Sequence, residues 1–134
     1  MVGIVVVTHG EMAAGLIQAA EMIVGKQEQL SPVHLLEMDA VEGLMERVEE
    51  SIGQNDTGEG ILLLVDLPGA SPFNACARLA MQREGLKLIS GVNLPMLAEL
   101  LVQRPSHTLS ELVEIAKQAG KFGIKDLSEI LNPE

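Results

Sequence analysis

Residues 4–12 read IVVVTHGEM, and this stretch decides the fold. Four consecutive β-branched side chains, beginning with Ile4, predict a strand that is buried on both faces. Apolar residues at helical spacing start immediately afterwards, at Met12. The histidine between them, His9, can titrate near neutral pH and is placed just beyond the end of the strand.

Strand and helix patterns alternate along the rest of the chain. A strand followed by a helix and a further strand favours a parallel sheet with helices on both faces, so we predict a doubly wound α/β fold. We expect one domain over residues 1–134, with no linker. The predicted strands are 2–7, 33–38, 61–65 and 86–89, and helices are predicted to begin near Met12, Val41, Ser71, Leu94 and Thr108.

Composition excludes several classes of protein. The 134 residues carry a net charge of -10 with only nine Lys and Arg, which argues against binding nucleic acid. The chain has no Trp or Tyr and two Phe, so we expect that it does not itself hold a sugar or a base. No signal peptide or membrane-spanning run is present, and the single cysteine suits a reducing compartment. We therefore predict a cytoplasmic protein without membrane insertion.

Two side chains with chemical potential follow neighbouring strand patterns. His9 comes after the first strand and Asp66 directly after the third. In parallel sheets ligands bind beyond the carboxyl ends of strands, where the strand order reverses. If these two strands are adjacent, the carboxylate can orient the imidazole and raise the basicity of its other nitrogen.

The sequence Gly69-Ala70-Ser71 follows the strand-end aspartate. Ser71 before Pro72 predicts a helix start with a hydroxyl N-cap, and free backbone N–H groups at such a start favour anions. A histidine, a carboxylate and an anion cradle together indicate phosphoryl transfer through phosphohistidine. Each residue also has a structural explanation: His9 as a loop residue, Asp66 as a turn former and Ser71 as a cap.

The remaining reactive side chains are assigned to structure. His34 lies within a strand pattern and His107 in a loop, and we expect Cys76 to be a buried hydrophobe on a helix. No zinc-ligand spacing or nucleotide-binding glycine loop occurs, so we predict no metal and no cofactor.

Three segments resemble the EIIA domain of the mannose family (mannose, fructose and sorbose) of the bacterial phosphoenolpyruvate-dependent sugar phosphotransferase system, abbreviated PTS. They are THG after the first strand, GILLLVDLPGASPFNACAR at residues 60–78, and ISGVNLPMLAELL at residues 89–101. The resemblance extends from about Val2 to Leu127.

The resemblance implies a phosphoryl carrier. His9 would accept a phosphoryl group from the phosphocarrier HPr, with Nε2 as the phosphorylated nitrogen, and pass it to an EIIB domain. Asp66 would hold the other ring nitrogen. Thr8 and Gly10 flank the acceptor histidine.

Two further expectations come from the resemblance alone. Ser71, with the backbone of Gly69 and Ala70, falls where the family stabilises the phosphoryl group. The family forms homodimers in which a last, antiparallel strand is exchanged between subunits, and GIKDL at residues 123–127 matches that strand. Association with the membrane EIIC and EIID components would be indirect, through EIIB.

The chain departs from the family after Asp66, where Thr-Trp-Gly-Gly is frequent and Leu67-Pro68-Gly69-Ala70 stands here. This difference leaves the partner contacts and the transported sugar open. Both a stand-alone EIIA and a part of a longer EIIAB protein stay open. The alternatives are the phosphotransfer domain that feeds dihydroxyacetone phosphorylation, a regulatory module of a transcription activator, and an interaction domain with an inert His9.

Overall fold

The computed structural model describes residues 1–132, in which the predicted alternation of strands and helices is present. A short 3₁₀ turn, Arg104–Ser106, joins the fourth and fifth helices. The strands are β1 Gly3–His9, β2 Leu30–Leu35, β3 Ile61–Val65 and β4 Leu86–Ile89. The helices are α1 Met12–Val24, α2 Val41–Asn55, α3 Ser71–Gln82, α4 Leu94–Gln103, α5 Leu109–Phe122 and α6 Leu127–Leu131.

The four strands are all parallel and lie in the order β2-β1-β3-β4. After β1 the chain moves to one side to form β2, then crosses over β1 to form β3 and β4 on the other side. Val7 pairs with Val33 of β2 and with Val65 of β3. The order therefore reverses between β1 and β3, and the carboxyl ends of these two strands border the crevice where ligands bind in such folds.

Alternate residues of the central strands pack into two separate cores, because successive side chains in a strand point to opposite faces. Each fully buried aliphatic side chain contributes on the order of 1.5–3 kcal/mol. The core under α1, α4 and α5 contains Ile4, Val6, Leu62, Leu64, Leu97, Leu100 and Leu112. The core under α2 and α3 contains Val5, Val7, Leu63, Val65, Leu44, Val48 and Leu79. Helices thus cover both faces of the sheet, as predicted.

The predicted limits of β3 and β4 are confirmed, and so is the capping box at Thr108 and Glu111 that starts α5. The predicted limits of β2 are wrong, because that strand begins at Leu30 and ends at Leu35. The Asp39 carboxylate accepts a hydrogen bond from the Leu36 backbone N–H at 2.7 Å. This bond closes a turn where the apolar pattern suggested further strand.

The antiparallel last strand predicted at residues 123–127 is not formed within the single chain. Gly123 follows the end of α5, and the Asp126 carboxylate accepts from the Glu129 backbone N–H at 2.9 Å, which caps the short helix α6. The sheet of the described residues is therefore entirely parallel. Strand exchange between subunits stays a prediction. Over residues 1–132, no helix has both the length and the apolar character needed to cross a membrane.

One buried charged side chain lies at the end of the sheet opposite the crevice, where β1 and β2 begin. Arg104 is 1% exposed, and its guanidinium donates to the carbonyl oxygens of Val2 at 3.3 Å and Gln29 at 2.7 Å. It also donates to the side chain of Gln27 and to the carbonyl of Glu28. Burial lowers the pKa of Arg104 to about 10. This arginine therefore fixes the segments that lead into β1 and β2.

We expect Arg104→Met to lower the free energy of unfolding by about 3 kcal/mol, because it removes the buried donor that joins the carbonyl groups of Val2, Glu28 and Gln29. Urea unfolding followed by circular dichroism measures the change. Arg78→Met is the matched control, since Arg78 is exposed on α3 and its replacement should cost less than about 0.5 kcal/mol. Equal losses in both variants would contradict the role given to Arg104.

Candidate functional site

The predicted limits of β1 are wrong: the strand begins at Gly3 and extends past Val7, so that His9 is its last residue. The residues on either side of His9 fix its position. Thr8 is fully buried, and its Oγ1 accepts a hydrogen bond from the Ala13 backbone N–H at 2.8 Å. Gly10 has a φ of 56°, in the left-handed region that favours glycine, and its N–H donates to the Leu35 carbonyl at 2.8 Å. In the sequence Thr-His-Gly, the threonine thus binds the start of α1, the histidine is exposed, and the glycine makes the tight turn that follows.

Asp66 follows β3 directly and lies against His9. Its Oδ2 accepts from the His9 backbone N–H at 2.9 Å and lies 2.7 Å from His9 Nδ1. Its Oδ1 accepts from the Leu67 backbone N–H at 2.9 Å. These contacts follow from the pairing of β1 with β3, which brings the first residue after β3 beside the end of β1.

The two side chains of this pair differ in exposure, 10% for Asp66 and 48% for His9. Burial raises the pKa of Asp66, but the hydrogen bonds from the His9 backbone, the His9 ring and the Leu67 backbone outweigh it, so the pKa lies below its usual value. An ionised Asp66 is a hydrogen-bond acceptor only, so Nδ1 carries the proton between them. The hydrogen bonds of the His9 side chain thus involve Nδ1, and Nε2 makes none within the described residues.

Gly69, Ala70 and Ser71 lie in the loop that joins β3 to α3 and at the start of that helix. Gly69 has a φ of 80°, and Ser71 is the first residue of α3. The predicted N-cap role of Ser71 is wrong: Ala70 occupies the cap position, and no side chain caps this helix. The Asn74 side chain instead donates to the Gly69 carbonyl at 3.1 Å. No hydrogen bond joins Gly69, Ala70 or Ser71 to His9 in the described part of the chain.

Acidic side chains beside His9 were missed by the sequence analysis. A cavity of about 500 Å³ is lined by His9 together with Glu11, Leu36, Glu37 and Asp39. The carboxylates come from the loops after β1 and β2, and the adjacency of these loops was not apparent before the strand order was known. A larger cavity of about 710 Å³ lies between α4 and α5 and does not include the histidine–aspartate pair.

The other reactive side chains lie apart from this pair. Burial raises the pKa of the Cys76 thiol to about 12, so it is not a nucleophile near neutral pH. His107 Nδ1 donates to the Gln103 carbonyl at 2.8 Å, and His34 Nε2 accepts from the Ala14 backbone N–H at 3.2 Å. Residues 1–132 contain no group of three His, Cys, Asp or Glu side chains able to hold a metal ion.

These observations define a doubly wound α/β protein with an exposed histidine, backed by a buried carboxylate, at the reversal point of its sheet. Comparison with known proteins identifies the family. Residues 3–117 match the EIIA-man family, described as the fructose IIA component of the PTS. The chain therefore belongs to the EIIA family of mannose-type phosphotransferase systems, and this membership implies a role in the phosphotransfer chain.

Individual relatives agree with the family. The mannose-specific EIIAB component of the PTS from Escherichia coli (strain K12) is 39% identical over 127 residues, which are 94% of this chain and 39% of that protein. This chain thus spans about two fifths of the length of that relative. The fructose-specific EIIA component from Bacillus subtilis (strain 168) is 27% identical over 131 residues, 98% of this chain and 90% of that protein.

A solved structure matches over nearly the whole length. The crystal structure of the phosphotransferase system component EIIA from Streptococcus agalactiae has a TM-score of 0.88 and 27% sequence identity, and the match covers 96% of this chain and 98% of that chain.

We expect Asp66→Asn to lower the free energy of unfolding by about 1–2 kcal/mol near pH 7, because the charged hydrogen bonds are lost. A lowered carboxyl pKa stabilises the fold above the unfolded value, about pH 4, and this contribution disappears as the pH falls through the folded value. Urea unfolding at about pH 7, 5 and 3 should therefore show the difference from the wild type shrinking only at the lowest pH.

The matched control for this pH series is Asp56→Asn in the exposed loop after α2, which should change stability by less than about 0.5 kcal/mol. A wild-type advantage over Asp66→Asn that grew in acid would contradict the assignment.

Proposed function

We propose that His9 is the phosphoryl acceptor of this EIIA component. In this proposal phospho-HPr gives its phosphoryl group to Nε2 of His9, and His9 passes it to an EIIB domain for coupled sugar uptake and phosphorylation. The observation that carries it is the 2.7 Å contact between Nδ1 and Asp66 Oδ2, which leaves Nε2 as the available ring nitrogen. The chain acts as a phosphotransferase component through a phosphohistidine intermediate.

The proposed phosphoryl transfer depends mainly on the position of Nε2 and on the charge of Asp66. The Nε2 lone pair attacks phosphorus while the bond from phosphorus to the donor breaks, and the Nδ1 proton stays between the ring and Asp66. Phosphorylated imidazole with a proton on Nδ1 is cationic, and the adjacent carboxylate stabilises that charge. The reverse displacement, with EIIB as acceptor, restores the neutral ring.

Backbone groups near the pair support the transferred group. The loop through Gly69 and Ala70 and the first turn of α3, starting at Ser71, lie after the same strand as Asp66. Free N–H groups at a helix start favour an anion, and we assign them the stabilisation of the phosphoryl group during transfer. Thr8 and Gly10 act by holding His9 in place.

The partner proteins are inferred from the family and from the named relatives. HPr is the donor and EIIB the acceptor, and contact with the membrane EIIC and EIID components goes through EIIB. The site works in the cytoplasm without cofactor or metal. The relatives include mannose-specific and fructose-specific components, so the sugar is not assigned.

A homodimer is part of the proposal. Five large apolar side chains lie exposed at and after the end of α5, namely Phe122, Ile124, Leu127, Ile130 and Leu131. The outer edge of β4 has no neighbouring strand in the described sheet. A second subunit that took up residues 123–127 as an antiparallel strand on this edge would cover both features.

We expect the wild-type chain to gain one acid-labile phosphoryl group when incubated with phosphoenolpyruvate, enzyme I and HPr, and His9→Ala to gain none. Intact mass spectrometry measures the gain. Because His9 lies at the crevice and outside both cores, His9→Ala should unfold within a few degrees of the wild type.

The matched control is His107→Ala, which removes a histidine of the loop before α5 and should be labelled like the wild type. Labelling of His9→Ala at another residue would refute the assignment of His9. No label on the wild type would favour a regulatory or inert module instead.

The dimer has a separate test. We expect the wild-type chain to sediment as a dimer and Ile124→Asp to sediment as a monomer, because a carboxylate would then have to enter the apolar interface. Met81→Asp is the matched control: Met81 is 85% exposed on α3, against 75% for Ile124, and lies outside the apolar segment. A monomeric wild type would overturn this part of the proposal.

A further inference from the structure

Helix α1 is capped by side chains of the sheet and not by its own residues. Glu11 stands at the N-cap position and makes no side-chain cap hydrogen bond. Two backbone amides of the first turn donate instead to side chains of the sheet. The Ala13 N–H donates to Thr8 Oγ1 at 2.8 Å, and the Ala14 N–H donates to His34 Nε2 at 3.2 Å. Thr8 and His34 are register partners on β1 and β2. One side chain from each strand thus accepts a hydrogen bond from one of two consecutive backbone N–H groups of the helix.

We propose that His34 is a positioning residue for His9, and that it works only while Nε2 is unprotonated. The neutral ring holds the first turn of α1, and the first turn holds the loop that presents His9. Protonation of His34 would release this hold and slow phosphoryl transfer. The inference rests on the proposed function for its effect on transfer, whereas the hydrogen bond to Ala14 can be tested without any phosphoryl group.

The connection between the two histidines is short. Only Gly10 and Glu11 separate His9 from α1, and the Gly10 N–H donates to the carbonyl of Leu35, the residue after His34. The end of β2 therefore holds the loop at two points, through the Leu35 carbonyl before α1 and the His34 ring inside its first turn. Loss of the second point leaves the first turn of α1 held by Thr8 alone, while the tight turn at Gly10 and the bonds from His9 to Asp66 remain.

A charged ring is unfavourable at this position. A proton on Nε2 would face the Ala14 N–H, so that two donors would meet, and a positive charge would lie at the positive end of the α1 dipole. Helix α1 itself offers little negative charge to stabilise a protonated His34, since its single charged residue is Glu21, two turns away.

Further charges near His34 come from α2 and the loop before it, and Glu11 stands at the N-cap of α1. Arg47 donates to the His34 carbonyl at 2.7 Å and to Asp39 at 3.0 Å, and Glu50 lines the same cavity as His34 and Arg47. The carboxylate of Asp39 is thus paired with Arg47. Charged side chains from β1 do not add to this group, since the only titratable one there is His9.

Three variants separate positioning from mere stability. Gln places its amide oxygen where Nε2 stands, Asn has an acceptor that is one bond too short, and Leu has none. With phosphoenolpyruvate, enzyme I and HPr as donor system, we expect His34→Leu and His34→Asn to take up label about fivefold more slowly than the wild type, and His34→Gln to recover the wild-type rate. A Gln variant as slow as Leu, or a Leu variant as fast as the wild type, would overturn the proposal.

The pH profile isolates the protonation requirement. As the pH is lowered from neutral, the wild type should lose labelling rate more steeply than His34→Gln, because only the wild type can lose its acceptor at residue 34 by protonation. Both proteins retain His9 and Asp66, so the difference between the two profiles reports on His34. Parallel profiles would refute the proposed switch.

A measurement independent of labelling guards against failure of the proposed function. Nitrogen-15 NMR of the wild type should show His34 with the proton on Nδ1 and none on Nε2, and His34→Leu should lose hydrogen-exchange protection at Ala14 about fivefold. If the wild type takes no label but the NMR and hydrogen-exchange results are as expected, the proposed carrier function is wrong. The proposed hydrogen bond from Ala14 to His34 is then still supported. A proton on Nε2 at neutral pH would overturn the hold itself.

Discussion

The hydrogen bond between His9 and Asp66 depends on the adjacency of β1 and β3. These residues are 57 positions apart in sequence, and only a crossover that places β3 directly beside β1 brings them to 2.7 Å. That crossover is also what reverses the strand order and opens a crevice at the carboxyl ends. The buried apolar runs of both strands hold the arrangement, so the two cores position His9 and Asp66 in addition to the two hydrogen bonds between them.

In the proposed phosphoryl transfer, the acidic side chains around His9 act on the transferred group as well as on the ring. The phosphoryl group is anionic, yet the cavity beside the ring carries carboxylates from Glu11, Glu37 and Asp39 as well as the buried Asp66 behind it. In that proposal Asp66 stabilises the cationic ring, whereas Glu11 and Glu37 repel the transferred group and Asp39 is paired with Arg47. Repulsion between exposed charges in water is modest and screened by salt. The same carboxylates suit a partner protein whose docking surface is basic.

Much of the frame could be predicted from the sequence because local rules determine it. The limits of β3 and β4 follow from apolar runs that each begin after a glycine and end before a polar residue, and the start of α5 follows from the spacing of Thr108 and Glu111. The end of β2 could not be predicted, because Leu36 and Met38 continue an apolar pattern and a turn held by Asp39 overrides it. The cap of α3 was predicted one residue too late, at Ser71 and not at Ala70, since a hydroxyl beside proline marks a helix start without deciding which residue is the cap.

The roles of Thr8 and His34 were beyond local reasoning for a different reason. A cap is ordinarily sought in the residue just before a helix, and Glu11 at that place makes no side-chain cap bond. The acceptors come from two strands, and one of them follows α1 in sequence, so they meet only when the β1–β2 register is known. Capping from the sheet ties the first turn of α1 to the same strands that position His9, whereas a cap within the loop would move with it. The site therefore gains rigidity from a feature that appears, in sequence, only as an isolated histidine in a strand.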